Sequence, residues 1–461
     1  MMVPMKRRSF LKTLSALALP PTFARNSLAD GALRADPGEL LDLPPGFSYR
    51  VVSRVGTTMA DGLKVPPAHD GMAAFSGDDG RVVLVCNHEM PPSHTRHSAF
   101  GEDFASLPAE LRAKVYDAGG DRTPGVGGTT TTVYNPKTGE TERQHLSLAG
   151  TELNCAGGPT PWGSWLTCEE TFTGPGTGLS NARLVTREQR HGYVFEVPSQ
   201  ATTLVRAEPI VDMGRFEHEA CAVHPATSIV YMTEDRHHSL FYRYLPDIPG
   251  ELIKGGRLQA LAIAGTPSAR THNWPGDTPI PVGESLAVYW IDLDNVDSDE
   301  NDLRLRGAAA GAASFARGEG LTAAGGDFAF SCTIGGPARL GQLFVYTPSP
   351  YEGTAREKEA PASLRLLAEA SEESLLRNND NLTAAPWGDL VVCEDTKGNC
   401  GIVGVRPDGR MYAIADNAYS DSELAGVCFA PDGNTLFVNI QYPGTTLAIS
   451  GPWQSLSEAA S

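Results

Sequence analysis

Six stretches of the chain share one alternation of polar, small and apolar positions. They open at Asp70, Asn154, Glu219, Glu319, Asp380 and Glu423. Each begins with an acidic or amide residue, usually beside small residues. A short strand-like run follows, then a tight turn, then a second and more apolar run. The turns read "GDDG", "PWG", "HPATS", "GGD", "PWGD" and "PDGN", the residue types that tight turns require. Most of the second runs end on polar groups: Asn87-His88-Glu89, Glu169-Glu170, Glu234-Asp235, Glu394-Asp395 and Asn439-Ile440-Gln441. The fourth ends on Cys332-Thr333 instead.

Repeated hairpins indicate a repeat architecture. Further β-like runs lie between them: "HGYVFEVP", "LFYRYLP", "LAVYWIDL" and "QLFVYTP". These can serve as outer strands. The predicted fold is therefore all-β, a six-bladed β-propeller formed by residues 30–461 as one domain. A two-sheet sandwich is the alternative. Small residues near each repeat's start suit strands crowded around an axis, and the polar ends would converge on one mouth of that axis. The insertions 96–125 and 251–281 read as loops, and 357–376 as one short amphipathic helix. The abundance of Gly and Pro, 49 and 34 residues, favours turns over long helices.

The formal net charge of −18 argues against nucleic acid as a partner. It also leaves carboxylates free to gather around cations. At the N-terminus Arg7 and Arg8 precede Ser9, Phe10, Leu11 and Lys12, and an apolar run follows over 13–19. This pattern predicts a twin-arginine signal peptide, residues 1–29, cleaved after Ala29. The apolar run is too short to span a bilayer. The expected product is a periplasmic or secreted monomer without stable membrane insertion, delivered by the twin-arginine export machinery. That route carries folded proteins, often already loaded with a cofactor.

Carboxylates at the repeat ends supply oxygen ligands for hard cations: Glu89, Glu169, Glu170, Glu219, Glu234, Asp380, Glu394 and Glu423. Without cations such a ring would repel itself. Most cysteines (Cys86, Cys168, Cys221, Cys332 and Cys428) sit in apolar or small-residue runs and read as small hydrophobes. Cys393 and Cys400 have the spacing for a local bridge. Cys155 stands apart, before a Gly-Gly-Pro turn, and a thiolate there would add a preference for a transition metal. Arg317 lies two residues before Glu319, so an extended chain puts both on one side. Its guanidinium could clamp a phosphate oxygen, or simply pair with Glu319. His218 and Arg215 are weaker candidates of the same kind.

Together these residues resemble the PhoX-type alkaline phosphatases. The resemblance rests on the leader, "NHE" at 87–89, "NCAGGPTPWGSWLTCEE" at 154–170, "GRFEHEA", "ARGEG", "DNLTAAPWGDL" and "FAPDGNTLFVNIQYPG". It covers nearly the whole chain, as a short form of the family. It implies a periplasmic phosphomonoesterase with two Fe3+ and two or three Ca2+ on the propeller axis. By motif the metal ligands would be Cys155, Glu219, Glu319, Asp380 and Glu170, with Glu169 as the neighbouring choice. Arg317 would contact the substrate phosphate. Glu89, Glu394 and Glu423 extend the set as calcium or supporting groups. The rival readings are a calcium-dependent lactonase or esterase propeller and a non-catalytic calcium-binding propeller.

Overall fold

The computed structural model describes residues 33–101, 107–454 and 456. The segment expected to be a signal peptide, 1–29, lies outside the described residues. The chain folds as an all-β, propeller-like structure with few and short helices. None of the helices is long and apolar enough to cross a membrane.

Each of the six repeats forms an antiparallel hairpin. In chain order these are His69–Ser76 with Val82–His88, Asn154–Pro159 with Ser164–Glu169, and His218–Val223 with Val230–Glu234. Gly318–Ala324 then pairs with Asp327–Cys332, Asn379–Ala384 with Leu390–Glu394, and Leu424–Phe429 with Thr435–Ile440. The leading strand of each hairpin neighbours the leading strand of the next, and the sixth returns to the first. Outside this closed ring the sheets are unequal. Two have four strands, one has three, one has five, one has two, and a nine-stranded sheet joins the third and fourth hairpins. Hydrogen bonding therefore does not mark off six equal four-stranded blades. N- and C-terminal segments share sheets: Ser48–Arg54 pairs with Thr445–Ser450, which in turn pairs with the sixth hairpin.

The four apolar runs between repeats form strands: Val194–Pro198, Tyr242–Pro246, Ser285–Asp292 and Gln342–Thr347. Their side chains pack between hairpins; one cluster joins Tyr231, Phe241, Phe315, Phe330 and Phe344. Each fully buried aromatic of this kind contributes about 1.5–3 kcal/mol. Two expectations fail here. The segment 357–376 is not a helix but a short 3-10 turn followed by the strand Ala362–Glu369. Its Leu and Glu content favours helix, yet its positions alternate in burial and it bridges two strands, 285–292 and 342–347. A short helix occurs instead at Leu303–Ala309. The insertion 251–281 is likewise only partly loop, because Gly256–Ile263 pairs with Tyr242–Pro246.

Close approach of the leading strands is possible because small residues line it. A Cβ on Gly71 would lie 2.5 Å from Ala156 Cα and 2.8 Å from Cys155 O, both backbone atoms of the next hairpin. Gly71→Ala is expected to force the two hairpins apart at a cost of about 1–3 kcal/mol, read as a lower melting temperature. Gly178→Ala, whose Cβ meets nothing within 4 Å, serves as the control. Equal melting temperatures for the two variants would contradict this packing.

Candidate metal centre

All six hairpins carry the same irregularity. The register shifts between His69 and Met72, Asn154 and Gly157, His218 and Cys221, Gly318 and Leu321, Asn379 and Leu382, and Ala425 and Cys428. In each case two residues oppose one, a β-bulge, which bends the strand and re-aims a side chain. The first residue of the bulge is Asp70, Cys155, Glu219, Glu319, Asp380 and Gly426 in turn. The bulge carbonyls are held by polar side chains of neighbouring hairpins. Asn87 Nδ2 donates to Cys155 O at 3.0 Å and Asn439 Nδ2 to Asp70 O at 2.5 Å. Thr233 Oγ1 donates to Glu319 O at 2.5 Å and Ser331 Oγ to Asp380 O at 2.8 Å. Backbone conformation and ring closure thus fix these side chains together.

Three groups of ligand atoms result, each lying within 4.8 Å of one another: Cys155, Glu170 and Glu219; Glu219, Glu319 and Asp380; and Asp70, Glu89 and Glu423. Glu219 belongs to two of them. Burial raises Glu219 well above the usual carboxylate range, and Asp380 and Asp235 add to the effect. Glu319 and Glu170 are raised by burial and then by Asp235 and Glu219. Asp70 is raised by burial, Glu89 and Asp380; Glu423 by burial, Asp380 and Asp70. Burial lifts Asp380 to about 8 and Glu89 to about 7, with Asp395 adding to each. The Cys155 thiol is also pushed up, by burial and then Glu219 and Glu170. The common cause is negative charge crowded out of water, a centre that either takes up protons or binds cations.

Arg317 sits beside this centre with its side chain 34% exposed. Its main partner is Asp235, which takes Nε at 2.6 Å and also Nη2. Glu319 Oε1 lies 3.3 Å from Nη2. Asp235 and Asp70 were absent from the sequence-derived ligand set. So was Gln441, which donates to Asp70 at 3.0 Å and Glu89 at 2.7 Å. A repeat rule would have found the first two. Asp70 occupies the bulge position of Cys155, and Asp235 directly follows the second strand as Glu170 does.

The structure places the other expected residues elsewhere. Glu169 belongs to none of the three groups. Its carboxylate lies 2.6 Å from His191 Nδ1 and accepts from Gly192 N at 2.8 Å and Glu152 N at 3.0 Å. Glu394 accepts from Arg377 N at 2.8 Å and Gly401 N at 3.0 Å, and Glu234 from Tyr242 Oη at 2.8 Å. These are the last residues of their strands, and alternation turns them away from Glu170, Asp395 and Asp235. His218 Nε2 donates to Gly214 O at 2.9 Å, and Arg215 bonds the carbonyls of His191, Ser298 and Thr173. Both anchor loops. Cys393 and Cys400 are unbridged; Cys400 Sγ donates to Thr396 O.

Fold and site together define a propeller-like protein whose mouth gathers carboxylates and one thiol. The family model "Alkaline phosphatase PhoX" matches residues 28–444. The chain belongs to that family of phosphomonoesterases. Among solved structures it is similar to Pseudomonas fluorescens PhoX in complex with vanadate, a transition state analogue. That match has a TM-score of 0.62 at 17% identity and covers 92% of this chain and 97% of that one. Little of that chain lies outside the match. A gluconolactonase from Xanthomonas campestris matches with a TM-score of 0.42 at 12% identity, covering 89% and 98%. The curated proteins give no match.

Behind the centre, His191 is clamped between Glu169 and Asp117, whose Oδ2 lies 3.1 Å from Nε2. Burial alone would lower its pKa; Glu169 and Asp117 outweigh that and raise it to about 10. A raised folded-state pKa stabilises the protein fully below the unfolded value of about 6.5. That contribution is lost as pH rises through 10. His191→Gln should cost about 3–5 kcal/mol near neutral pH, because it leaves Glu169 and Asp117 without their cation. Melting temperature measured from pH 6 to pH 10 should fall more steeply for the wild type than for the variant. Parallel curves would contradict a charged His191.

Proposed function

We propose that the chain is an exported alkaline phosphatase in which the ring of hairpins forms the inner strands of six blades, with an iron–calcium centre at its mouth. The donor chemistry supports this assignment. Cys155 with Glu170 and Glu219 combines a soft thiolate with oxygen ligands, which suits iron. The Glu219, Glu319 and Asp380 group shares a carboxylate with it and suits the second Fe3+. Asp70, Glu89 and Glu423 offer oxygen alone and suit calcium, the first of two or three Ca2+ drawn from this ring. Bound there, the ions would supply neutralisation of phosphoryl charge and activation of the attacking water.

The chain's own residues do the rest. Asp235 holds Arg317 in one orientation. Its partly exposed guanidinium keeps N–H groups available for a phosphate oxygen, a geometry a lysine would not reproduce. Asp235 and Glu319 also keep the Arg317 pKa above its ordinary value, so the cation persists at alkaline pH. The bulges hold Cys155 and the carboxylates rigidly, so binding and attack require little rearrangement. A serine or threonine nucleophile has no part in this scheme. The observation that carries the proposal is Arg317 beside the thiol–carboxylate cluster in a chain of the PhoX family. The twin-arginine pattern supports export of the loaded protein into the periplasm or medium.

Elemental analysis and assays on a phosphomonoester and a lactone test it directly. Iron, calcium and phosphatase activity are expected; calcium alone with lactonase activity would overturn the proposal. Arg317→Ala should lower kcat/KM by roughly 30- to 1000-fold, about 2–4 kcal/mol, with metal content unchanged. Unchanged kinetics would remove Arg317 from the site. Cys155→Ser should remove visible absorption and release iron while calcium stays. Colourless wild-type protein would contradict an iron–thiolate centre.

A further inference from the structure

A histidine cluster lies on the turn bonded to the Arg317 backbone and has no part in the centre described above. His237 and His238 occupy the exposed turn that follows Asp235. This turn is stitched to the Arg317 strand: Arg317 N donates to Arg236 O at 3.1 Å, Phe315 N to Ser239 O at 2.8 Å, and Gly318 N to Ser239 Oγ at 3.3 Å. Behind it stands His272, fully buried, on the loop of the 251–281 insertion. Its carbonyl accepts from Gly336 N at 2.8 Å. Trp274 of the same loop donates its indole N–H to Ile334 O at 2.8 Å, and Thr333 N donates to Arg317 O at 3.0 Å. The cluster is thus pinned on one side to the 315–318 backbone and on the other to the 334–336 segment, whose neighbour Thr333 bonds Arg317 O.

The hydrogen bonds fix the protons. His272 Nε2 lies 3.2 Å from His237 O and 3.0 Å from His238 Nδ1. A carbonyl only accepts, so a proton on Nε2 finds two acceptors. A proton on Nδ1 would find none, because that atom is buried without a hydrogen-bond partner and the nearest Asp277 oxygen is 3.9 Å away. His272 therefore donates from Nε2, and His238 Nδ1 accepts. A neutral His238 must then carry its own proton on Nε2, which has no partner among the described residues.

We infer that His238 presents a fixed, neutral N–H donor to the leaving-group oxygen of the phosphate ester, with His272 as its positioning residue; this rests on the phosphatase reading above. The role is distinct from that of Arg317, which addresses the phosphate. A donor on the leaving oxygen stabilises the negative charge that develops there as the P–O bond breaks. The alkoxide then takes its proton from water, so His238 itself stays neutral and no net proton leaves the protein. Burial first, and then surrounding charges, favour the neutral form of both rings. Burial, Arg270, His237 and Arg304 lower the His238 pKa against the opposing Asp277. Burial, His238 and Arg270 lower that of His272 to about 4, again against Asp277. The donor therefore persists at alkaline pH, where an imidazolium would be lost.

The test compares glycerol phosphate, whose alkoxide leaves poorly, with p-nitrophenyl phosphate, whose phenoxide leaves well. Both are assayed on metal-loaded, full-length enzyme. His238→Ala removes an exposed side chain, and its melting temperature and metal content should match the wild type. Its kcat on glycerol phosphate should fall about 10- to 100-fold, with a change of less than about threefold on p-nitrophenyl phosphate. His272→Phe should reproduce that selective loss, and His272→Gln, which keeps an N–H donor, should restore most of it. Equal losses on the two esters, or no loss on glycerol phosphate, would overturn the assignment of His238. Wild-type kinetics in His272→Phe would overturn the positioning role. A wild-type enzyme inactive on both esters would instead sink the phosphatase reading itself.

Discussion

The bulge that recurs in every inner hairpin is the constraint on which the rest of this structure depends. A regular strand would send successive side chains to opposite faces of the sheet. The bulge breaks that alternation at one point and turns Asp70, Cys155, Glu219, Glu319 and Asp380 to a common mouth. It also leaves a backbone carbonyl without its ladder partner. Asn87, Thr233, Ser331 and Asn439 supply the missing bonds, each to a carbonyl on the next hairpin of the ring. One irregularity therefore does two things at once: it aims a ligand and ties two hairpins together. The sixth hairpin shows the limit of the rule. Its bulge residue, Gly426, has no side chain, and Glu423 just outside the strand joins Asp70 and Glu89 instead.

The electrostatic consequence is a ring that cannot be both closed and fully ionised without cations. Closing it removes the carboxylates from water and sets them in three groups whose ligand atoms lie within 4.8 Å of one another. The direction of every shift in the three groups is upward, as self-repulsion in a poorly solvated site demands. Cation binding and ring closure are in this sense one process, and the free energy of binding becomes free energy of folding. The export of a folded chain proposed above would fit the same logic, because the ions would be enclosed before the protein left the cell.

Much of this was legible in the sequence because the repeats preserve residue chemistry. The hairpins, the turn residues and most members of the three ligand groups could be aligned by eye. What failed depended on parity and on distance. Glu169 and Glu170 are chemically identical, and only the end of the strand decides which one turns to the mouth. The same ambiguity affected Glu234 against Asp235 and Glu394 against Asp395. Arg317 and its contact with Glu319 were found, but its main partner was not: Asp235 lies on the neighbouring hairpin, and no local pattern joins the two. The segment 357–376 was misread as helix because its composition favours one, whereas its strand 362–369 bridges two strands formed by distant parts of the chain. The histidine cluster escaped for the same reason, since His238 and His272 lie far apart in sequence and meet only in the folded chain.

The central claim is that the bulge-borne thiol and carboxylates hold iron beside calcium. Anomalous diffraction from crystals of the purified protein, collected at energies on either side of the iron edge, tests it most directly. The account predicts peaks that appear only above the edge, among Cys155 Sγ, Glu170 and Glu219 and among Glu219, Glu319 and Asp380, with a further density lacking iron signal at Asp70, Glu89 and Glu423. Absence of any iron-specific peak within bonding distance of Cys155 would contradict it.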